Sequence, residues 1–230
     1  MLEHYMVQAS SYAGKIDGLI WLIAVIVGVW FVLAEGMFFW LMWKFRARPG
    51  HRAIYVGDEL EHEIKHTWVE WPHRVILLCD VALIVGAISV WSHVKLNTPP
   101  TDETIRITAQ QWAWTFQHPG ADGQLDTADD IEMIDELHVE LGKTYKFELT
   151  ALDVLHSFSV PVFRLKQDAI PGRVITGWFK PTKTGAYDIQ CTEICGIGHA
   201  LMPARIYIDY PETHAAWVAT PTPSLAANRP

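Results

Sequence analysis

Two long apolar segments constrain this chain more than any other feature of its sequence. Residues 18–43 and 68–94 are each predominantly apolar, and each is long enough to cross a hydrocarbon layer of about 30 Å as a helix that rises about 1.5 Å per residue. Tryptophans stand near both ends of each segment, as is typical of the two interfaces of a bilayer. The sequence therefore predicts a transmembrane hairpin of two helices.

The distribution of basic residues predicts the orientation of this hairpin. Most Lys and Arg side chains of this region lie between the two segments or just inside them, whereas Lys15 and Lys95 stand nearly alone outside. The inner residues are Lys44, Arg46, Arg48, Arg52, Lys65 and Arg74. Because loops rich in Lys and Arg stay cytoplasmic, we expect residues 44–67 in the cytoplasm. Both termini, including residues 1–17, are then expected on the periplasmic side of the inner membrane of a cell, or of its mitochondrial equivalent.

The chain after the hairpin predicts an all-β domain over residues 95–210. Half of the 230 residues are hydrophobic, which is too apolar for a purely soluble protein and too polar for a polytopic membrane protein. Residues 104–116 and 145–150 show the period of two that is typical of β-strands. Further strands are expected at 156–163, 173–179, 185–190 and 204–209. Short strands separated by turns indicate a Greek-key sandwich or barrel, and residues 211–230, rich in Pro, Ala and Thr, predict a loose tail.

Potential metal ligands cluster in residues 191–202. Two thiols, one imidazole and one thioether fall within these twelve residues, and a second imidazole lies upstream. They belong to Cys191, Cys195, His199, Met202 and His156. Such ligands are those that copper selects, and two sulfurs can bridge two copper ions with one imidazole on each. Two alternatives stay open: a zinc site of two Cys and two His, against which the thioether argues, and a disulfide between the two cysteines.

These ligands belong to a wider pattern of motifs. With Asp153-Val-Leu-His156-Ser and Asp168-Ala-Ile-Pro-Gly-Arg173, the chain resembles subunit II of the haem-copper cytochrome c oxidases over nearly its whole length. The resemblance implies a membrane-anchored, cupredoxin-like Greek-key β-barrel that carries the dinuclear copper centre CuA. It also implies that the Glu193 carbonyl binds one copper ion. The Glu193 carboxylate is then expected to contact a Mg or Mn ion that is shared with subunit I.

The same resemblance implies roles for residues outside the ligand cluster. Trp112, in Trp112-Ala113-Trp114, is expected to receive the electron from cytochrome c, although Ala113 stands where the family usually has Tyr. The alternative is that both tryptophans are core residues of a strand. Glu61 and Glu63 precede the second apolar segment, as does the glutamate that opens a proton pathway in the family, but the register of that motif is disturbed here. Ordinary interfacial charges are the alternative for both.

Acidic residues form two further features. No Lys or Arg stands between Arg106 and Lys143, and the negative charge of this stretch predicts attraction of a basic partner. Its acidic residues include Asp122, Asp126, Asp129, Asp130, Glu132, Asp135 and Glu136. A calcium loop and a merely solvated loop are the alternatives. Inside the apolar segments, Glu35 and Asp80 are expected at about the same depth, where they either hold the hairpin to a partner or line a proton-accessible cavity.

The function implied by the resemblance is electron transfer within a respiratory oxidase. By this resemblance, the chain is expected to take single electrons from cytochrome c and to pass them through CuA to haem in subunit I, where oxygen reduction is coupled to proton translocation. It has no catalytic residue of its own. The sequence lacks a Cys-x-x-Cys-His motif, so the donor is a separate molecule or subunit. Two other functions stay open: a quinol oxidase subunit without metal, and a membrane-anchored carrier of copper or zinc. The expected partners are oxidase subunits, cytochrome c and lipid, and no nucleic acid.

Overall fold

Two helices precede a β-rich domain in the computed structural model, which describes residues 7–50 and 70–220. Helix α1 spans Ala13–Lys44 and helix α2 spans Trp71–Trp91, which continues into a short π-helix at Ser92–Leu96. The most apolar stretch of each helix contains no buried residue, as expected for helices whose outer surface meets lipid. Both predicted membrane helices are therefore present. Most of the predicted loop 44–67 lies outside the described residues.

The two helices approach each other at a glycine of α2. A Cβ atom at Gly86 would lie 3.2 Å from Leu19 and 3.7 Å from Leu22 of α1, so the missing side chain permits this approach. Counted from that contact, Asp80 lies six residues along α2 and Glu35 at least 13 residues along α1. These separations correspond to about 9 Å and about 20 Å of helix. The two carboxyl groups lie at different levels of the hairpin, and the prediction that they share one depth is wrong.

Ten strands between residues 103 and 209 form two five-stranded sheets. The first sheet has the order β3-β2-β1-β5-β8 and the second has the order β4-β10-β9-β6-β7. Neighbouring strands are antiparallel except in the pairs β1–β5 and β4–β10. The strands are β1 Glu103–Gln110, β2 Ala113–His118, β3 Ile131–Ile134, β4 Glu136–Glu140, β5 Tyr145–Ala151, β6 His156–Val160, β7 Leu165–Ala169, β8 Ile175–Phe179, β9 Gly185–Cys191 and β10 Pro203–Asp209. The chain crosses repeatedly between the sheets, and the predicted membrane-anchored all-β architecture is confirmed.

One predicted strand is two strands in the structure, and three further strands were not predicted. The predicted strand 104–116 is a hairpin, in which β1 and β2 pair on either side of the two-residue turn Gln111-Trp112. Buried positions are odd-numbered in β1 and even-numbered in β2, which one continuous strand does not allow because its side chains alternate with period two. Strands β3, β4 and β7 were not predicted, since polar or charged side chains interrupt their apolar pattern.

The core lies between the inner faces of the two sheets and is filled by aromatic rings. Trp114 and Phe116 of the first sheet meet Phe158 of the second sheet edge-on, with ring centroids 5.5 and 6.2 Å apart. Phe147 and Phe179 extend this cluster, and all five side chains are fully buried. Each buried ring contributes roughly 1.5–3 kcal/mol of hydrophobic stabilisation. The cluster thereby fixes the two sheets against each other.

The chain before helix α1 is anchored on the β domain. The Ala9 N–H donates to the Val162 carbonyl at 2.9 Å, and the Thr182 N–H donates to the Ala9 carbonyl at 2.8 Å. Tyr12 is fully buried, with its ring edge-on to Trp178 and the centroids 5.1 Å apart. The described residues before α1 therefore belong to the same compact unit as the β domain.

A helix replaces part of the predicted loose tail. Helix α3 spans Pro211–Val218 and begins with a proline, whose missing N–H costs no hydrogen bond in a first turn. His214 is buried, and the Trp217 ring stacks on His138 of β4 with centroids 4.4 Å apart. The prediction of a loose tail is wrong for this helix, because these side chains hold it on the sheet. Residues 221–230 lie outside the described part of the chain.

Candidate metal centre

Two neighbouring strands and one loop bring the predicted ligands together. His156 begins β6 and Cys191 ends β9, and these strands pair with Phe158 opposite Cys191. The loop from β9 to β10 carries the other predicted ligands over the same end of the sheet. They are Glu193, Cys195, His199 and Met202. The prediction that this loop joins the last two strands is confirmed, and the strand pairing explains how a distant histidine reaches it.

The Cys195 sulfur is the point on which the other ligand atoms converge. It lies 3.8 Å from the Cys191 sulfur. It also lies 3.6 Å from Nδ1 of His199 and 3.9 Å from the sulfur of Met202. A ring nitrogen of His156 and the two cysteine sulfurs all lie within 4.8 Å of one another. The structure thus gathers two thiols, two imidazoles and a thioether in one small volume.

Both cysteines of this cluster are free thiols. Their separation of 3.8 Å is far longer than the roughly 2.05 Å of a disulfide bond, so the disulfide alternative does not describe this structure. Cys195 is 3% exposed, and burial, together with the neighbouring Cys191 thiol, raises the pKa of its thiol. A metal ion that binds here must displace thiol protons, which makes its affinity fall as the pH falls.

His156 presents one free nitrogen to the cluster. The ring is fully buried, and its Nε2 lies 2.9 Å from Oδ1 of Asp153. When that carboxylate is ionised, Nε2 carries the ring proton and donates it, so Nδ1 keeps its lone pair. Nδ1 has no hydrogen-bond partner among the described residues. A buried nitrogen without a partner, on a ring oriented by a carboxylate, fits the role of a metal ligand.

Asp153 links this histidine to the neighbouring turn. Its Oδ2 accepts from the Gln111 N–H at 2.7 Å, and its Oδ1 accepts from the Val154 N–H at 2.7 Å. Partial burial raises the pKa of Asp153, but the hydrogen bonds from His156, Gln111 and Val154 outweigh burial and keep this pKa below its ordinary value. The carboxylate therefore stays ionised and holds the imidazole in one orientation.

The donor set fits copper better than zinc. Structural zinc is bound by four ligands in a closed tetrahedral site, and two Cys with two His suffice for it. Here the Met202 sulfur, in a side chain that is 2% exposed, lies inside the cluster as well. Thioethers are soft ligands that suit copper. The buried thioether therefore favours copper over the zinc alternative.

Glu193 faces the cluster through its backbone. Its carbonyl oxygen accepts from the Cys191 thiol at 3.3 Å, which brings a sixth predicted ligand to the site. Among the described residues, His156 with the two cysteines is the one group of three or more His, Cys, Asp or Glu close enough to hold an ion. The Glu193 carboxylate therefore has no ready set of partners for a Mg or Mn ion within this part of the chain.

Trp112 packs on the loop that carries the predicted ligands. Its side chain is 37% exposed, whereas Trp114 is fully buried. A Cβ atom at Gly198 would overlap the Trp112 ring, and one at Gly196 would lie 3.3 Å from it, so the ring lies directly on the backbone of these glycines. Trp114 is thus a core residue of its strand, whereas Trp112 is not. The two glycines were missed, although Gly-x-Gly between two ligands is a signal of close backbone approach.

Large apolar side chains of the same loop face solvent. Ile194, Ile197 and Leu201 are 82%, 97% and 80% exposed. Exposed apolar side chains that lie together are typical of surfaces that contact other proteins. The sequence did not single out these residues, because their exposure depends on how the loop folds around its ligands.

The acidic stretch is held by hydrogen bonds from the protein itself. Asp126 forms a two-pronged ion pair with Arg106, at 2.7 and 3.0 Å. The hydrogen bond and the charge of this guanidinium lower the pKa of the Asp126 carboxyl. Asp130 accepts from Nε2 of Gln117 at 2.6 Å. In the described residues, these carboxylates are not grouped around a common point as calcium ligands are, so the calcium alternative gains no support.

The remaining predicted positions lie apart from this cluster in sequence. Glu61 and Glu63 fall outside the described residues, so their part in proton uptake stays a prediction. Glu35 belongs to α1 and is partly buried, whereas Asp80 belongs to α2 and is exposed.

Known proteins are similar to this chain. The sequence model of one family, described as "Cytochrome C oxidase subunit II, periplasmic domain", matches residues 103–208. The alternative cytochrome c oxidase subunit 2 of Bradyrhizobium diazoefficiens is 30% identical over 228 residues, which cover 89% of this chain and 79% of that protein. The cytochrome c oxidase subunit 2 of Cereibacter sphaeroides is 27% identical, over 92% of this chain and 77% of that protein. The crystal structure of the periplasmic domain of subunit II of the Bradyrhizobium japonicum cytochrome oxidase has 35% identity, covers 53% of this chain and 94% of that domain, and has a TM-score of 0.47.

Proposed function

Because this chain belongs to the cytochrome c oxidase subunit II family, we propose that it takes single electrons from a cytochrome c and delivers them to haem in subunit I, where oxygen is reduced and protons are translocated. Members of this family are subunits of a haem-copper oxidase, which is an oxidoreductase complex. The chain supplies the membrane-anchored, cupredoxin-like subunit of that complex. It binds and relays electrons but catalyses no reaction alone.

The convergence of the six ligand residues is the main support for this proposal. Two free thiols 3.8 Å apart are placed to bridge two ions, and the imidazoles of His156 and His199 reach the cluster from different elements. The Met202 sulfur lies 3.9 Å from the Cys195 sulfur and the Glu193 carbonyl lies 3.3 Å from the Cys191 sulfur, so both would serve as weak outer ligands. Copper, when bound there, supplies a one-electron carrier shared between two ions. A quinol oxidase subunit without metal has no chemical need for this donor set.

The surface around Trp112 supports the uptake of electrons from a protein donor. The ring is partly exposed and lies against the loop that carries the ligands, so an electron that reaches its outer edge is already beside the centre. Ile194, Ile197 and Leu201 offer an apolar contact area. The acidic residues of 122–136 add a negative field that attracts a basic cytochrome c.

The fold also supports the predicted orientation. The residues before α1 pack on the β domain, so the N-terminal segment and the copper-binding domain share one side of the membrane. Lys44 ends α1 and Arg74 lies in the first turn of α2. This supports our proposal that the loop 44–67 between them is cytoplasmic and that the domain is periplasmic.

Two finer assignments rest on the family resemblance. Glu61 and Glu63 precede α2 on the cytoplasmic side, where we assign them to the start of a proton pathway into subunit I. The Glu193 carboxylate, on the loop that carries the copper ligands, contributes to a Mg or Mn site whose other ligands come from subunit I.

Reduction of the copper-loaded chain by a basic ferrous cytochrome c, followed by stopped flow, tests this function. The rate should fall steeply with ionic strength because the attraction is between exposed charges. Trp112→Phe should slow the reduction without changing the copper spectrum, whereas Trp21→Phe, the same change in helix α1, should leave the rate unchanged. A metal carrier predicts no reduction by cytochrome c and no copurification with a haem protein, and either result contradicts the proposal.

A further inference from the structure

The turn between β1 and β2 contacts both halves of the metal centre. The side chain of Gln111 donates from Nε2 to the Cys195 carbonyl oxygen at 2.7 Å, across 84 residues of sequence. Its backbone N–H donates to Oδ2 of Asp153 at 2.7 Å, and Oδ1 of Asp153 orients the His156 ring at 2.9 Å. Gln111 thus bonds both to the loop that carries the Cys195 thiol and to the Asp153 carboxylate that orients the His156 ring.

The loop is shaped to receive this side chain. Gly196 has a φ of +125°, which residues with a Cβ atom rarely adopt. A Cβ atom at this position would lie 2.8 Å from Nε2 of Gln111, so glycine leaves the space that the amide occupies. Trp112, the other residue of the turn, lies against Gly198. Both residues of the turn therefore contact the same short stretch of the loop, next to Cys195.

We propose that Gln111 is a positioning residue for the copper centre. Its amide fixes the Cys195 backbone before the metal binds, so that the thiol faces Cys191, and it provides a hydrogen-bonded connection from Trp112 to a bridging cysteine. This inference rests on the copper-binding function proposed above. Groups that orient metal ligands typically change metal affinity by about 10- to 100-fold when they are removed. Because Asp153 is bound by the backbone N–H, a change of the Gln111 side chain acts on the Cys195 contact and spares His156.

Two substitutions separate hydrogen bonding from space filling. Gln111→Met keeps the length of the side chain and removes the donor, whereas Gln111→Glu keeps the shape and turns an acceptor toward the Cys195 carbonyl. Gln110→Met and Gln110→Glu are the matched controls, because Gln110 is the neighbouring glutamine at the exposed end of β1. Two properties of the full chain are measured in detergent: copper affinity by competition with a chelator, and amide hydrogen exchange of residues 192–201 without metal.

Copper affinity is expected to be highest in the unmodified chain, lower in Gln111→Met and lowest in Gln111→Glu. The loss relative to the unmodified chain should be about 10- to 100-fold, and both variants should still bind two copper ions at saturation. Hydrogen exchange of the loop should be faster in both variants, and both Gln110 variants should behave as the unmodified chain. Unchanged affinity and exchange in the Gln111 variants would overturn the proposal, as would equal losses in the Gln110 variants. The exchange measurement needs no metal, so it tests Gln111 separately from the proposed function, which fails if the unmodified chain does not bind two copper ions.

Discussion

Acidification should destabilise the fold through a cluster of buried and half-buried histidines. His118, His138 and His214 surround the Trp217 ring, with ring centroids 5.1, 4.4 and 5.4 Å from it. Among the described residues, neither nitrogen of His118 has a hydrogen-bond partner, nor does Nδ1 of His214. Burial, and then the charges of the other two histidines, lower the pKa of His118 to about 3. Burial also lowers the pKa of His214 to about 4, so the folded state favours neutral rings.

The magnitude follows from the difference between folded and unfolded pKa values. An unfolded histidine titrates near pH 6.5, so between about pH 6.5 and 4.5 the unfolded state binds a proton that folded His118 does not bind. His118 alone therefore lowers stability by up to about 1.4 kcal/mol per pH unit as the pH falls, which gives about 2.7 kcal/mol at pH 4.5. The loss continues until the folded residue protonates near its pKa of about 3. Unfolded carboxyl groups titrate near pH 4, so they contribute mainly at the acidic end of this window.

Urea unfolding of the solubilised, metal-free chain between pH 7 and 4.5, followed by tryptophan fluorescence, measures this loss. His118→Phe keeps an aromatic ring in the cluster, but phenylalanine does not titrate. The slope of stability against pH should therefore be smaller in this variant than in the unmodified chain, by up to about 1.4 kcal/mol per pH unit. His73→Phe, which removes an exposed histidine of α2, is the control and should keep the original slope. If His118→Phe shows the same pH dependence as the unmodified chain, the histidine cluster is not the source of the acid sensitivity.

Three further perturbations test other parts of the structure. Gly198→Ala places a methyl group where the Trp112 ring lies, so electron uptake should slow with the copper content unchanged, whereas Gly28→Ala, which meets no atom within 4 Å, should have no effect. Glu35→Gln and Asp80→Asn should reduce oxidase assembly or turnover additively, since the carboxyls lie at different levels, and a double variant that loses far more than the sum would show that they interact. A calcium chelator should leave the thermal midpoint of the chain unchanged, because the acidic stretch is held by protein donors, and a lower midpoint would reveal a bound ion.

The membrane helices and most members of the candidate ligand cluster could be found in the sequence because their signals are local. Length and hydropathy define helices α1 and α2 within single segments. Cys191 and Met202 stand close together in sequence, and their soft sulfur atoms narrow the choice of metal. His156 was proposed as the upstream imidazole, but the pairing of β6 with β9 that brings it to the loop could not be read from the sequence, because it joins distant residues.

The features that escaped prediction depend on contacts between distant residues. One sequence signal indicates the hairpin turn at Gln111: the apolar positions change from odd numbers in β1 to even numbers in β2. Its hydrogen bond to Cys195 has no such signal, because nothing near Gln111 in sequence specifies which loop lies opposite. Helix α3 was taken for a tail because residues 211–230 are rich in Pro, Ala and Thr, and Trp217 finds its partners only on folded strands.

The most direct test of the copper assignment is the metal content and EPR spectrum of the copper-loaded chain. We predict two copper ions per chain, thiolate-to-copper absorption and an EPR signal from one electron shared by both ions, because two sulfurs 3.8 Å apart are available as bridges. Cys191→Ser leaves one bridging sulfur and should abolish that sharing. One zinc ion per chain, or the signal of a single isolated copper in the unmodified protein, would contradict the dinuclear centre.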